Sequence, residues 1–179
     1  MTEIEPTSRR FFSQRLALNY LDWGNPTAPP LVMVHGGMDH AHNWDGIARE
    51  LCRDWHIICP DLRGHGDSAW SPDGSYLLPF YVSDLAQLIH QISDEPVSIV
   101  AHSLGGAISL RYASLYPERV RRLVAIEGVG VSHFEQDRAK PPAETWRDWI
   151  DQRRNLSARS PRRYATLDEA LARMRQEND

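Results

Sequence analysis

The chain has 179 residues, 41% apolar and 25% charged, a balance that fits a soluble globular fold with a real core. The formal net charge is −4, which argues against a nucleic-acid partner. No run of about 18 apolar residues occurs, so no membrane-spanning helix is expected, and the polar first ten residues show no signal-peptide core. Cys52 and Cys59 fall on the apolar faces of a helix pattern and a strand pattern. They read as buried free thiols in a reducing, cytoplasmic setting rather than as a disulfide framework.

Leu16 to Leu21 reads as an early, partly alternating strand, closed by Gly24-Asn25-Pro26. Residues 30–35 form a continuous apolar run, as a strand covered on both faces requires, and run into Gly36-Gly37. Trp44, Ile47, Ala48, Leu51, Cys52 and Trp55 recur at helical spacing, with Asn43 as the expected N-cap. Residues 55–60 are the next strand, followed by the glycine-bearing loop Asp61 to Ser68. Val82, Leu85, Ala86, Ile89 and Ile92 mark a second amphipathic helix, and residues 96–101 another strand. The helix after Ser103 is expected to stop before Pro117, and Val120 to Ile126 form a further strand. Strands alternating with helices predict an α/β fold with a doubly wound, mostly parallel sheet. After Gly130 no glycine occurs, and half of the Lys and Arg residues lie in the last quarter of the chain. Trp146, Trp149 and Ile150 predict a short helix after Pro141-Pro142. Thr166-Leu167-Asp168-Glu169 is a capping box opening a last helix with Leu167, Leu171 and Met174 on one face.

The chemistry concentrates at Ser103, in the run Val97-Ser98-Ile99-Val100-Ala101-His102-Ser103-Leu104-Gly105-Gly106. An apolar strand enters a serine flanked by small residues and a helix pattern starts at once. That is the mark of a nucleophile elbow, a strained strand-to-helix turn that lifts the hydroxyl out of the sheet. Ala101 stands where the usual pattern has glycine, and Gly105 stands where it asks for one. Upstream lie His35-Gly36-Gly37 and Asp61-Leu62-Arg63-Gly64-His65-Gly66-Asp67-Ser68, each after a strand. In this order the three motifs resemble the α/β-hydrolase fold superfamily of the serine-nucleophile type, over about residues 16–130 and more weakly beyond.

The resemblance implies a serine hydrolase acting through an acyl-enzyme on an ester, thioester or related acyl bond of a small molecule, with no cofactor. Residues 1–130 would be the core and 131–179 the beginning of a helical cap. Ser103 would be the nucleophile. The backbone amides of Leu104 and Gly37, with Met38 the second choice for the latter, would hold the oxyanion. His35 joins this group as a candidate binding residue, although a hydrogen-bonded structural role fits it better. His102 is expected to be packed and hydrogen-bonded, and Asp61, Arg63, His65, Asp67 and Ser68 to form a self-bonded loop. Family order places the acid and then the histidine after the serine. Glu127 is a possible acid. Of the eight histidines only His133 follows Ser103, and a compact Ser103–Glu127–His133 triad would require it to fold back over the elbow. The expectation is therefore an incomplete α/β-hydrolase core, with His133 out of reach and the catalytic His absent. The alternative is a non-catalytic fragment, or a half that needs a complementing chain. The strand Val120 to Ile126 would then expose an edge open to self-association. Asp39-His40-Ala41-His42 with Asp45 lacks a further paired histidine, so no metal is expected. Gly128-Val129-Gly130 lacks the third glycine of a dinucleotide loop. An epoxide hydrolase or dehalogenase would carry Asp where Ser103 stands.

Overall fold

The computed structural model describes residues 4–128, 141–157 and 163–178. They divide into two compact units, Met1–Val131 and Ser132–Asp179. In the first unit, six strands form one sheet: β1 (Thr7–Ser13), β2 (Leu16–Asp22), β3 (Pro30–Val34), β4 (His56–Pro60), β5 (Val97–His102) and β6 (Val120–Ile126). Their order across the sheet is β1-β2-β4-β3-β5-β6. β1 pairs antiparallel with β2, and β2 antiparallel with β4; the pairs β3–β4, β3–β5 and β5–β6 are parallel. The mostly parallel sheet expected from the apolar runs is present.

Alternation along the central strands explains the two-sided covering. Leu31 and Met33 of β3 pack with Ile57 and Cys59 of β4 against helix α1 (Asp45–Leu51), where Ala48 and Cys52 are buried. Val32 and Val34 face the other way. They join Val97, Ile99 and Ala101 of β5 under helices α2 (Leu78–Ile92) and α3 (Leu104–Leu115), which contribute Val82, Leu85, Ile89, Ile108 and Tyr112. Both cysteines are free and buried, and burial pushes the Cys59 thiol up from its ordinary range.

Three local expectations differ from the structure. Strand β1 has no forerunner in the sequence reading, because Thr7–Ser13 buries only Phe11 and Ser13 and reads as polar. It is held by full register with β2, from Thr7 opposite Asp22 to Ser13 opposite Leu16. Asn43 does not cap α1. A 3₁₀ turn over Ala41–Trp44 precedes the helix, Trp44 takes the N-cap place, and no side chain closes it. The Asp61–Ser68 loop is also more than self-bonded. Arg63, 1% exposed, grips the Asp84 carboxylate of α2 with two nitrogens at 2.6 and 2.8 Å, and donates to the Ser75 carbonyl at 2.7 Å. That two-toothed geometry satisfies a charge pair that would otherwise be costly to bury.

The second unit holds helices α4 (Pro142–Ser157) and α5 (Leu167–Asn178). Within it, Trp146 and Trp149 meet edge to face at 5.7 Å. The expected capping box forms in a shifted version: the Thr166 hydroxyl accepts from the Glu169 amide, while the Glu169 carboxylate reaches back to the amide of Ala165 rather than that of Thr166.

Candidate active site

Because β3, β5 and β6 are parallel neighbours, their C-terminal ends open on one edge of the sheet, where ligands of open α/β sheets are held. Three of the six non-glycine residues with positive φ among the described residues stand there: Met38 after β3, Ser103 after β5 and Glu127 after β6. Such angles cost roughly 1–3 kcal/mol each and persist only where the surroundings impose them.

Ser103 sits between strand and helix, with φ 48° and ψ −112°, as the elbow pattern requires. Its amide donates to the Ile126 carbonyl of β6 at 2.8 Å and its carbonyl accepts from Ala107, so backbone bonds pin the turn from both sides. Its hydroxyl makes no cap bond to α3 and no hydrogen bond to any described residue. Small neighbours make the turn possible. A Cβ on Gly105 would stand 2.5 Å from the Val34 and His35 carbonyl oxygens, so only glycine lets α3 start against the end of β3. Gly128 lies backbone to backbone on Gly106, which is the work its small size does here.

The loop after β3 lies against this turn. A Cβ on Gly36 would come within 2.8 Å of His102 Nδ1 and 3.4 Å of Ser103 Cβ, and one on Gly37 within 3.8 Å of the Leu104 side chain. The amides of Gly37 and Leu104 have no hydrogen-bond partner among the described residues, Leu104 because it begins α3. The Met38 amide differs: it donates to His65 Nε2 at 3.2 Å, while the Met38 side chain projects fully into solvent. Its use as the second choice after Gly37 for that oxyanion donor therefore meets a bond already made.

His35 is fully buried and uses both ring nitrogens on backbone. Nδ1–H donates to the Gly36 carbonyl at 2.6 Å, and Nε2 accepts from the Leu62 amide at 3.0 Å. This pattern needs the neutral ring, and burial lowers its proton affinity accordingly. No ring nitrogen is left for a ligand, so the structural role is the one its bonds describe. Asp61, 4% exposed, accepts from Asn19 Nδ2 of β2 and from the amides of Ala41 and Asp67.

Glu127 is 82% exposed at its side chain, and one carboxylate oxygen lies 3.9 Å from His102 Nε2. His102 makes no hydrogen bond to a described residue and is partly open to solvent, unlike the packed, bonded side chain expected, because it ends β5 where the sheet's covering stops. Asp39, Asn43, Trp44, His102 and Ile126 line an open cleft of about 280 Å³ beside the elbow. His42 pairs with Asp45 at 3.0 Å, and among the described residues no three His, Cys, Asp or Glu side chains are grouped to hold a metal. His133 lies outside the described residues, as do Val129 and Gly130.

The sequence profile of the α/β hydrolase fold family matches residues 29–176. A 3-hydroxybutyrate-oligomer hydrolase of Cupriavidus necator is 38% identical over 107 residues, 59% of this chain and 36% of that protein. An esterase of Mycobacterium tuberculosis is 34% identical over 111 residues, 62% of this chain and 36% of that protein. The crystal structure of a hypothetical protein from Pseudomonas aeruginosa PAO1 is 30% identical, with a TM-score of 0.82 over 96% of this chain and 60% of that one. The chain spans about a third of the length of most of the curated relatives it matches and about half of one, a human serine hydrolase-like protein. With the strained serine turn, the glycine loop beside it and the mostly parallel sheet beneath, the profile match over most of the sequence settles the family: this chain belongs to the α/β hydrolase fold family.

Proposed function

We propose that this chain is the elbow-bearing part of a serine hydrolase that cleaves an ester, thioester or related acyl bond of a small molecule. One observation carries the reading: a serine hydroxyl held at φ 48°, without a hydrogen bond to the described residues, beside the unengaged amides of Leu104 and Gly37. In this reading the Ser103 oxygen attacks the acyl carbon and its proton passes to a base. The carbonyl oxygen, now negative, accepts from the Leu104 and Gly37 amides. Collapse expels the alcohol or thiol with a proton, and water then releases the acid and restores the hydroxyl. Relatives named as an esterase and an oligomer hydrolase support the reaction class.

No imidazole is bonded to the Ser103 hydroxyl among the described residues, and the reading leaves the base to a histidine that this stretch of chain does not supply. Glu127, just after β6, is the candidate acid, the alternative being a carboxylate that lines the pocket or anchors the cap. Residues 131–179 are read as the start of a cap that selects the substrate. A second reading is a non-catalytic half that needs a complementing chain. It is favoured by the place of β6 at the rim of the sheet among the described residues, with Val124 and Ile126 exposed, which also invites self-association.

Hydrolysis of an activated short-chain nitrophenyl ester by the purified chain tests both. The expected result is weak turnover that Ser103→Ala abolishes. Strong turnover lost with Ser103→Ala and also with His133→Ala would restore the compact triad. Turnover indifferent to Ser103→Ala would remove the nucleophile assignment.

A further inference from the structure

Two loops meet beside the elbow, the one after β3 (residues 35–41) and the one after β4 (residues 61–68), and each sends a histidine to the other or to its own backbone. His35 receives the Leu62 amide of the second loop on Nε2. His65 does the reverse. Its Nδ1 lies 3.0 Å from the Arg63 carbonyl, and its Nε2 receives the Met38 amide of the first loop at 3.2 Å. A carbonyl only accepts and an amide only donates, so both contacts hold together only with the proton on Nδ1 and the lone pair on Nε2. The His35 and His65 rings stand 5.3 Å apart, and His65 is half-buried.

Met38 is a non-glycine residue at φ 60° whose side chain makes no use of that conformation, being fully exposed. Its backbone is therefore held from elsewhere, and its bond to His65 is the tie that the structure offers. Its neighbour Gly37 keeps an amide with no described partner, next to the Leu104 side chain.

We propose that His65 is a positioning residue of the site: by taking the Met38 amide on Nε2 it fixes the loop so that the Gly37 amide, and not that of Met38, is the one offered beside Ser103. The catalytic consequence rests on the hydrolase reading above; the positioning itself does not. The tie is specific to an acceptor at the Nε2 place. Glutamine can put a carbonyl oxygen there, whereas phenylalanine keeps the ring shape and loses the acceptor.

Nitrogen-15 NMR of the wild-type histidine rings, with amide exchange at Met38, tests the positioning without any turnover. The expected result is a His65 ring protonated on Nδ1, a Met38 amide that exchanges about tenfold faster or more in His65→Phe, a Gly37 amide signal that moves with it, and recovery of both in His65→Gln. A ring protonated on Nε2, or Met38 exchange and the Gly37 signal both unchanged in His65→Phe, overturns it; the first needs no variant at all. Where the wild-type chain hydrolyses the activated ester, His65→Phe should lower kcat about tenfold to a hundredfold with KM nearly unchanged, and His65→Gln should restore it. An equal loss in both variants would reduce His65 to packing. Absence of turnover in the wild type favours the reading of a non-catalytic half and leaves the NMR result to judge the tie.

Discussion

At the scale of single residues, Ser103 combines a strained backbone with hydrogen bonds on both sides of its turn. Its φ of 48° with ψ −112° is open to glycine and costly for any residue with a Cβ. The turn is nonetheless closed by the bonds to Ile126 and Ala107, which are backbone bonds and survive substitution. Ser103→Gly should therefore fold more stably than the parent, by about 1 kcal/mol, which is roughly 2–4 °C in the melting midpoint of a domain this size. Ser103→Ala should show no such gain, and both should lose any ester hydrolysis. Thermal unfolding followed by circular dichroism compares the three. A midpoint for Ser103→Gly below that of Ser103→Ala would mean that the backbone strain is not what the dihedral angles indicate.

Elements show where sequence reading succeeds and where it stops. The cores of β3 to β6 are legible because each is a short apolar run between turn residues, and Ser103 is legible because strand, small neighbours and helix follow one another within a few positions. Strand β1 is not, because five of its seven side chains, all but Phe11 and Ser13, are exposed, and pairing with β2 makes it a strand. The start of α1 is misplaced because a 3₁₀ turn and an α-helix share the same apolar spacing over one turn. The engagement of Met38 is invisible in the sequence. It depends on the tautomer of a histidine 27 positions away.

The same pair of loops carries a pH signature through His35. The folded ring is neutral, bonded at both nitrogens, and burial lowers its pKa. An unfolded histidine titrates near 6.5. Above that pH neither state binds the proton, and the full contribution of the bonded ring is present. As pH falls below it the unfolded chain binds the proton first, so stability declines until the depressed folded value is reached. Denaturant midpoints should drop as pH is lowered from about 7 to about 5, and less steeply in His35→Gln, which keeps an acceptor for the Leu62 amide. Equal slopes in the two proteins would assign the acid sensitivity to other groups.

For the whole molecule, the decisive fact is that β6 is the last strand of the sheet among the described residues. One side of it is bonded to β5 and its inner face is covered by α3, through Val120 and Leu123. On its other face Val124 and Ile126 are 54% and 44% exposed. An unpaired edge of this kind, with exposed apolar side chains beside it past Arg121 and Arg122, is a template for another strand. Sedimentation velocity of the purified chain should show a concentration-dependent larger species, and Val124→Lys should shift it toward the monomer. A chain that stays monomeric at high concentration without the lysine would remove the edge as an association surface.

The strand order has a further consequence, for the time at which the site comes into being during synthesis. β3 lies between β4 and β5 in space, yet β5 follows it in the chain only after the whole of α2. A nascent chain released as far as Ile92 can pair β1, β2, β4 and β3, while the flank of β3 that will receive Ser98 to Ala101 stays bare. Val32 and Val34 then wait for Val97, Ile99 and Ile108 before their face is closed. The glycine loop is thus made early and the serine turn late. A ribosome that stalls between α2 and β5 holds out an apolar parallel edge to the surrounding cell, and this is the interval in which a chaperone would matter most.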